Sequence, residues 1–307
     1  MAHVIEAVGL TKSYGPRRGI VDVDFTVAEG EVFGFLGPNG AGKTTTIRVL
    51  LGFLRPTAGR ASVLGFDAWR DAPQAHDGLA YVSSDPAYLG QLTAGAQLDY
   101  MARLRGLAPG AWRPVAERLD LDPTVQVRKL SRGNRQKVGV VQAFMGEEPL
   151  LVMDEPTSGL DPLMQREFLA MVAEVRAAGR TVFLSSHNLQ EVERACDRVG
   201  IIREGRLVDV STVTELQSSH WRSVNLVLPA PPPPGLFELP NVEVASATAR
   251  DVHLMVKGDV NPLLRRLATI DVNDVAISTL EIEDVFLRLY EGETARPDVP
   301  AAEEADR

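Results

Sequence analysis

The 307-residue chain is short of several things, and each shortage narrows what it can be. It has one cysteine, Cys196, so no disulfide can form within it, and that usage fits a reducing compartment. The lone thiol is expected on a helix, as a small core residue carrying no chemistry. No uninterrupted apolar run approaches the roughly 20 residues that span a bilayer. The opening Met1-Ala2-His3-Val4-Ile5-Glu6 lacks the charged and apolar regions of a signal peptide. The expectation is a soluble, cytoplasmic chain that meets a membrane only through a partner. Basic excess is missing too: a net charge of −9 and a pI near 5.2 argue against a sequence-independent nucleic-acid binder, with local basic patches still allowed. What is present is 45% hydrophobic content at a mean hydropathy of −0.04, enough for one large globular domain and a smaller one.

One stretch stands out. Gly37-Pro38-Asn39-Gly40-Ala41-Gly42-Lys43-Thr44-Thr45 fits the phosphate-loop pattern G-x-x-x-x-G-K-[ST]. Glycines at 37, 40 and 42 let the backbone turn tightly, aim N–H groups inward and admit phosphate oxygens where a Cβ would intrude. Lys43 brings positive charge to the β- and γ-phosphates, Thr44 offers a hydroxyl to Mg²⁺, and the following helix presents its positive end. The context agrees: Glu31 to Leu36 reads as a buried strand, and Ile47, Val49, Leu50 and Leu51 as an apolar helix face. Alone, such a loop serves a kinase, a GTPase or a motor equally well.

Around it the chain alternates. Strands are expected at Val4 to Leu10 and Val21 to Val27, with a turn at Thr11-Lys12-Ser13-Tyr14-Gly15 between them, then at Ala61 to Leu64 and at Leu79 to Val82 before Ser83-Ser84-Asp85-Pro86. Helices follow from Thr93 to about Gly106 and from Trp112 to Leu119, an all-helical insert. Leu130-Ser131-Arg132-Gly133-Asn134-Arg135-Gln136-Lys137 opens another helix with Ser131 as cap. Pro149 to Met153 is an apolar run ending in Asp154-Glu155, and a buried strand with carboxylates at its C-terminal end is where an α/β sheet places ligand chemistry. The turn Thr157-Ser158-Gly159-Leu160-Asp161-Pro162 leads into a helix from Leu163 to Ala178. A strand at Thr181 to Ser185 then ends at Ser186-His187-Asn188. His187 thereby joins the other motifs at a sheet edge, a setting that His3, His76, His220 and His253 lack. A helix from Leu189 to Ala195 and a hairpin from Val199 to Val210, turning at Glu204-Gly205, complete the domain.

This ordered set closely resembles the nucleotide-binding domain of ABC transporters over residues 1–215. The Arg132-Gly133-Asn134-Arg135-Gln136 order and the C-terminal extension look most like the ATP-binding subunits of bacterial drug and antibiotic exporters of the daunorubicin-resistance type. The resemblance implies an α/β P-loop NTPase with a helical subdomain at about 86–148, followed by a small α+β domain. It implies ATP and Mg²⁺ as ligands. Tyr14 would stack on adenine, Gly37 to Thr45 would hold the triphosphate, and Thr44 and Asp154 would place Mg²⁺. Glu155 would be the general base on the attacking water, His187 would contact the γ-phosphate, and Ser131 and Gly133 would reach the ATP of a second copy, with Asp161 joining that interface. The implied partners are that second copy and transmembrane permease subunits, with the chain on the cytoplasmic face of the membrane and no nucleic acid involved. Two departures stand out. Ser84 takes the place of the family's usual Gln, which contacts Mg²⁺ and links ATP to the membrane partner; Ser84 is shorter, leaving Asp85 or a water to substitute. The signature reads Leu-Ser-Arg-Gly-Asn where Leu-Ser-Gly-Gly-Gln is common, yet Ser131 and Gly133 keep their places.

From about Ser211 the composition shifts. Strands are expected at Val224 to Leu228, Val242 to Ala247, Val252 to Val256 and Val275 to Thr279, with a stiff proline-rich connection at 229–235 and helices at Asn261 to Thr269 and Ile282 to Tyr290. This is a small α+β domain at 216–291; it resembles the accessory domain of the same exporters, which implies a role in subunit pairing, with a stabilising appendage as the alternative. The acidic tail at 292–307 is expected to be disordered. The leading functional reading is an exporter ATPase. An importer ATPase is the nearest alternative, and a soluble ABC protein on ribosomes or DNA is a more distant one: the chain has one phosphate loop and no sustained heptads.

Overall fold

The computed structural model describes residues 3–15, 19–86, 88–218, 221–248 and 250–279. The expected helix at Ile282 to Tyr290 and the tail at 292–307 lie outside them. The chain divides into two compact units, Met1–Val213 and Thr214–Arg307.

In the first unit the strands are β1 (His3–Ser13), β2 (Gly19–Ala28), β3 (Val32–Leu36), β4 (Ala58–Val63), β5 (Phe66–Asp67), β6 (Leu79–Val82), β7 (Leu150–Asp154), β8 (Thr181–Ser186), β9 (Arg198–Arg203) and β10 (Arg206–Thr212). The helices are α1 (Lys43–Leu50), α2 (Ala72–His76), α3 (Ala94–Leu104), α4 (Arg113–Arg118), α5 (Arg132–Phe144), α6 (Pro162–Ala177) and α7 (Leu189–Ala195), with α8 (Val213–Ser218) at the division. A central sheet runs β10-β9-β3-β8-β7-β6, and an antiparallel sheet runs β2-β1-β4-β5. Strands β6, β7, β8, β3 and β9 pair in parallel, so their C-terminal ends share one edge.

The parallel strands are buried on both faces, which is why they read as apolar runs. Their two-residue alternation splits the core in two. Leu150, Val152, Phe33, Phe35 and Phe183 face the antiparallel sheet and α1. Leu151, Met153, Val182 and Leu184 instead pack with Phe168 of α6 and with α3 to α5, so the helical insert covers the far face. Aromatics are scarce in this chain, yet Phe25 of β2 lies 5.6 Å from Phe33 and 5.8 Å from Phe183, ring centre to ring centre, and bolts the two sheets together.

Strand β1 runs through Ser13, past the expected end at Leu10, because Lys12 and Ser13 pair with Ile20 and Gly19 while Thr11 pairs with Ala58. Tyr14 therefore directly follows a longer strand. Cys196 closes α7 as its C-terminal cap, one residue beyond the helix on which it was expected. Burial pushes its thiol up, which keeps it protonated and inert. In the second unit β11 (Trp221–Val227), β12 (Val242–Ala247), β13 (Asp251–Lys257) and β14 (Asp274–Thr279) form an antiparallel sheet in the order β12-β13-β11-β14. Leu263 and Leu267 of α9 (Asn261–Leu267) pack on one face of it, against Val224, Leu226 and Leu254.

The inter-sheet aromatic contact yields a stability prediction. Replacing Phe183, which is fully buried, by Ala removes a ring from the centre of the cluster and should cost about 3–5 kcal/mol. Equilibrium urea unfolding of the full chain measures this; a loss below about 1 kcal/mol would mean the site collapses around the gap.

Candidate active site

The loop between β3 and α1 is shaped by glycine. A Cβ on Gly37 would sit 2.4 Å from the Ile202 carbonyl oxygen, and Gly42 holds φ at 115°, in the left-handed region. Lys43 follows as the first residue of α1. Its side chain is buried and folds back, its Nζ donating to the carbonyls of Gly37 at 2.5 Å and Pro38 at 3.1 Å. The same nitrogen lies 3.1 Å from Glu155 Oε1, an ion pair whose angle falls outside hydrogen-bond geometry. In effect the loop wraps around an ammonium group.

Strand β7 delivers both carboxylates to that loop. Asp154 continues the phase of Leu150 and Val152, which faces α1. It is fully buried, and its Oδ2 accepts from Thr44 Oγ1 at 2.8 Å and Ser84 Oγ at 3.0 Å, while Oδ1 accepts from Ser185 Oγ at 2.7 Å. Strict alternation would send Glu155 to the other face. Instead Glu155 has a left-handed backbone, φ 50°, costly for a residue with a Cβ, and the chain bends there. Its N–H is held by the Ser185 carbonyl at 3.2 Å and by Ser185 Oγ at 3.1 Å. The bend returns the side chain to the loop, where Oε2 meets His187 Nδ1 at 2.6 Å. Lys43, Glu155 and His187 thus form one chain of contacts from three separate segments.

Around this centre lies a cleft of about 1460 Å³, lined among others by Tyr14, Pro38, Asn39, Gly40, Gly42, Thr44, Thr45, Ser84, Arg132 and His187. Ala41 is buried beneath the loop. Tyr14 is half exposed, with Lys12 Nζ 5.5 Å from the centre of its ring. Ser84 itself reaches Asp154, whereas Asp85 is exposed and its N–H donates a turn contact to Ser83 Oγ. The short side chain suffices because the segment after β6 passes close to the end of β7.

The signature residues occupy a different position. Ser131 is exposed and caps α5, its Oγ accepting from Asn134 N–H at 3.2 Å. A Cβ on Gly133 would lie 2.3 Å from the Gly159 carbonyl oxygen, and Arg132 Nη2 donates to Ser158 Oγ at 3.1 Å, so this turn rests on the loop after β7. Asp161 caps α6, accepting from the N–H groups of Leu163 and Met164. Ser131 and Gly133 therefore sit on the turn that rests on the loop leading to Asp161, apart from the Lys43 and Glu155 contact.

Sequence reasoning missed Ser185, whose hydroxyl donates to the Asp154 carboxylate and accepts from the Glu155 N–H. The only sign of it was a β8 strand ending in two hydroxyl residues. As a whole the site offers a loop shaped by glycine, a buried ammonium, a carboxylate beside a hydroxyl pair, and a second carboxylate paired with an imidazole. That set suits phosphoryl transfer, which asks for positioning and charge neutralisation.

Comparison with known proteins places the chain. Residues 20–158 match the family described as ABC transporter. The bacitracin transport ATP-binding protein BcrA of Bacillus licheniformis is 32% identical over 305 residues, covering 96% of this chain and 99% of the relative. A solved ATP-binding subunit of an ABC transporter is 31% identical at a TM-score of 0.64, covering 70% of this chain and 92% of its own. A dimeric ATP-binding cassette in a post-hydrolysis state with ADP and Pi, 19% identical and covering 68% of this chain and 98% of its own, shares the fold at a TM-score of 0.62. Identity of this level along almost the whole of both chains, on the same fold, means that the chain belongs to the ABC transporter family as one of its ATP-binding proteins, an ATPase.

Proposed function

We propose that this chain is the ATP-hydrolysing subunit of an exporter, in which two copies close on ATP and hydrolysis releases them, moving a separate permease between states. The observation that carries the reading is the contact chain Lys43–Glu155–His187 beside Asp154 and Thr44 in one cleft. Among the described residues no helix is long and apolar enough to cross a membrane, so the translocation path would belong to the permease, with this chain at the cytoplasmic face. The bacitracin transport relative, similar over nearly the whole chain, supports a role in transport of an antibiotic-like compound.

In this reading the β- and γ-phosphates take the place that Glu155 now holds beside Lys43, and the loop from Gly37 to Thr45 wraps them with N–H groups. Tyr14, half exposed on the cleft wall, receives the adenine ring. Release from Lys43 frees Glu155 to accept a proton from the attacking water, and His187, already 2.6 Å from Glu155, orients that carboxylate and faces the γ-phosphate. The oxygens that meet at Asp154 Oδ2, from Thr44 and Ser84, are the hard donors Mg²⁺ takes, so this cluster fits the ion. Asp154 and Thr44 would hold Mg²⁺, which would neutralise charge on the phosphates. Ser131 and Gly133, with Asp161, would complete the site of the second copy.

Tagging the full chain and identifying the membrane protein that co-purifies tests the partner; a permease without a solute-binding protein supports export, and a solute-binding protein or a ribosomal fraction overturns it. Lys43→Ala should abolish nucleotide binding in a fluorescent-ATP titration, and retained affinity would remove Lys43 from the phosphate site. Glu155→Gln should bind ATP normally but cut steady-state turnover by about two to four orders of magnitude. Near-normal turnover in that variant would take Glu155 out of the role of base.

A further inference from the structure

Helix α7 carries a carboxylate that none of the roles above uses. Glu191, in its first turn, is more than nine-tenths buried, as are Thr157 and Ser186. A buried carboxylate needs donors, and both of its oxygens have one. Thr157 Oγ1 donates to Oε1, and Ser186 Oγ donates to Oε2 at 2.8 Å.

The two hydroxyls come from the two segments on which the site depends. Thr157 lies two residues beyond Glu155, in the turn closed by the Ser158 N–H to Glu155 carbonyl bond at 3.1 Å. Ser186 directly precedes His187, and its carbonyl accepts from Gly37 N–H at 3.3 Å, at the start of the phosphate loop. One carboxylate therefore ties the exit of β7, the exit of β8 and, through the Ser186 backbone, the loop before α1. The tie matters most for Glu155, whose left-handed backbone is not favoured by its own chemistry and must be held by its neighbours.

We infer that Glu191 is a positioning residue for ATP hydrolysis: by clamping Thr157 and Ser186 it fixes the turn that bears Glu155 against the segment that bears His187. This rests on the roles assigned to Glu155 and His187. It acts on the geometry of the pair directly and on the phosphate grip of Lys43 only through the Ser186 backbone, so its loss should appear in turnover more than in affinity.

The test compares ATP turnover, KM for ATP and melting temperature in the full chain carrying Glu191→Ala, Thr157→Val or Thr157→Ser. Valine keeps the shape of Thr157 and removes the hydroxyl; serine keeps the hydroxyl. Thr157→Val should lower kcat by about ten- to a hundredfold, the scale of a small misplacement of reacting groups, with KM within about threefold of the parent. Thr157→Ser should stay within about threefold of the parent in both, and Glu191→Ala should follow Thr157→Val. Turnover unchanged in Thr157→Val, or lost equally in Thr157→Ser, overturns the inference, as does a fall in kcat matched by a rise in KM. Should Glu191→Ala not fold, the Thr157 pair decides alone. Glu155→Gln is the control: normal turnover there removes the underlying role of Glu155, whereas a loss there beside an unaffected Thr157→Val removes only the clamp.

Discussion

The structure turns on a carboxylate out of contact with water. Asp154 is fully buried, and an ionised group in that position is tolerated only when its oxygens are met by donors. Three hydroxyls meet them, from Thr44 at the head of α1, Ser84 after β6 and Ser185 near the end of β8. Each of these residues lies at or near the same edge of the central sheet, and that edge exists because the strands run parallel. Remove the parallel arrangement and the three hydroxyls have no common point. The topology and the chemistry are thus one constraint: burying Asp154 at the strand ends obliges the loop, the segment after β6 and β8 to converge there.

The ammonium of Lys43 obeys the same rule from the opposite sign. It is buried, so it takes two carbonyls of its own loop and the carboxylate of Glu155. Glu155 in turn is shared between Lys43 and His187. A polyanionic ligand competes directly for this ammonium, and whatever it gains at Lys43 it takes from Glu155. Breaking a buried pair is costly unless a replacement charge arrives, so a phosphate is the natural exchange partner: it satisfies Lys43 and frees the carboxylate together. The grip on the ligand and the readiness of Glu155 are coupled through one nitrogen atom.

Most of the parallel sheet was legible because buried strands announce themselves as apolar runs closed by polar residues, as Leu150 to Glu155 and Thr181 to His187 do. The helix cap Ser131 was legible for a similar reason, since an N-cap is a local pattern. The bend at Glu155 was not, because it depends on the N–H contact with Ser185, thirty residues away in sequence. Nor were Ser84, Ser185 and Glu191 as partners: a serine or glutamate at a strand end or in a first turn looks the same whether it faces water or a buried carboxylate. The extension of β1 to Ser13 was hidden likewise, being set by pairing with β2 and β4. What a short window encodes could be read, and what long-range pairing decides could not.

The segment after β6 shows how those long-range contacts join the two parts of the site. Ser84 donates to Asp154 at the centre, and its neighbour Ser83 accepts from Gln136 Nε2 of α5 at 3.5 Å. Further along, Tyr88 donates its hydroxyl to the Arg135 carbonyl at 3.1 Å, in the first turns of the same helix. One short segment therefore touches both the buried carboxylate and the helix that Ser131 caps. Because Ser84 is short, its hold on Asp154 is direct, and a shift of Asp154 or Thr44 is transmitted to the backbone at 83–84 without the slack of a long side chain. The signature turn also rests on the exit of β7 through Gly133 against Gly159 and Arg132 on Ser158. The signature turn and the centre are consequently connected on two sides, through the segment after β6 and through the turn that follows Glu155.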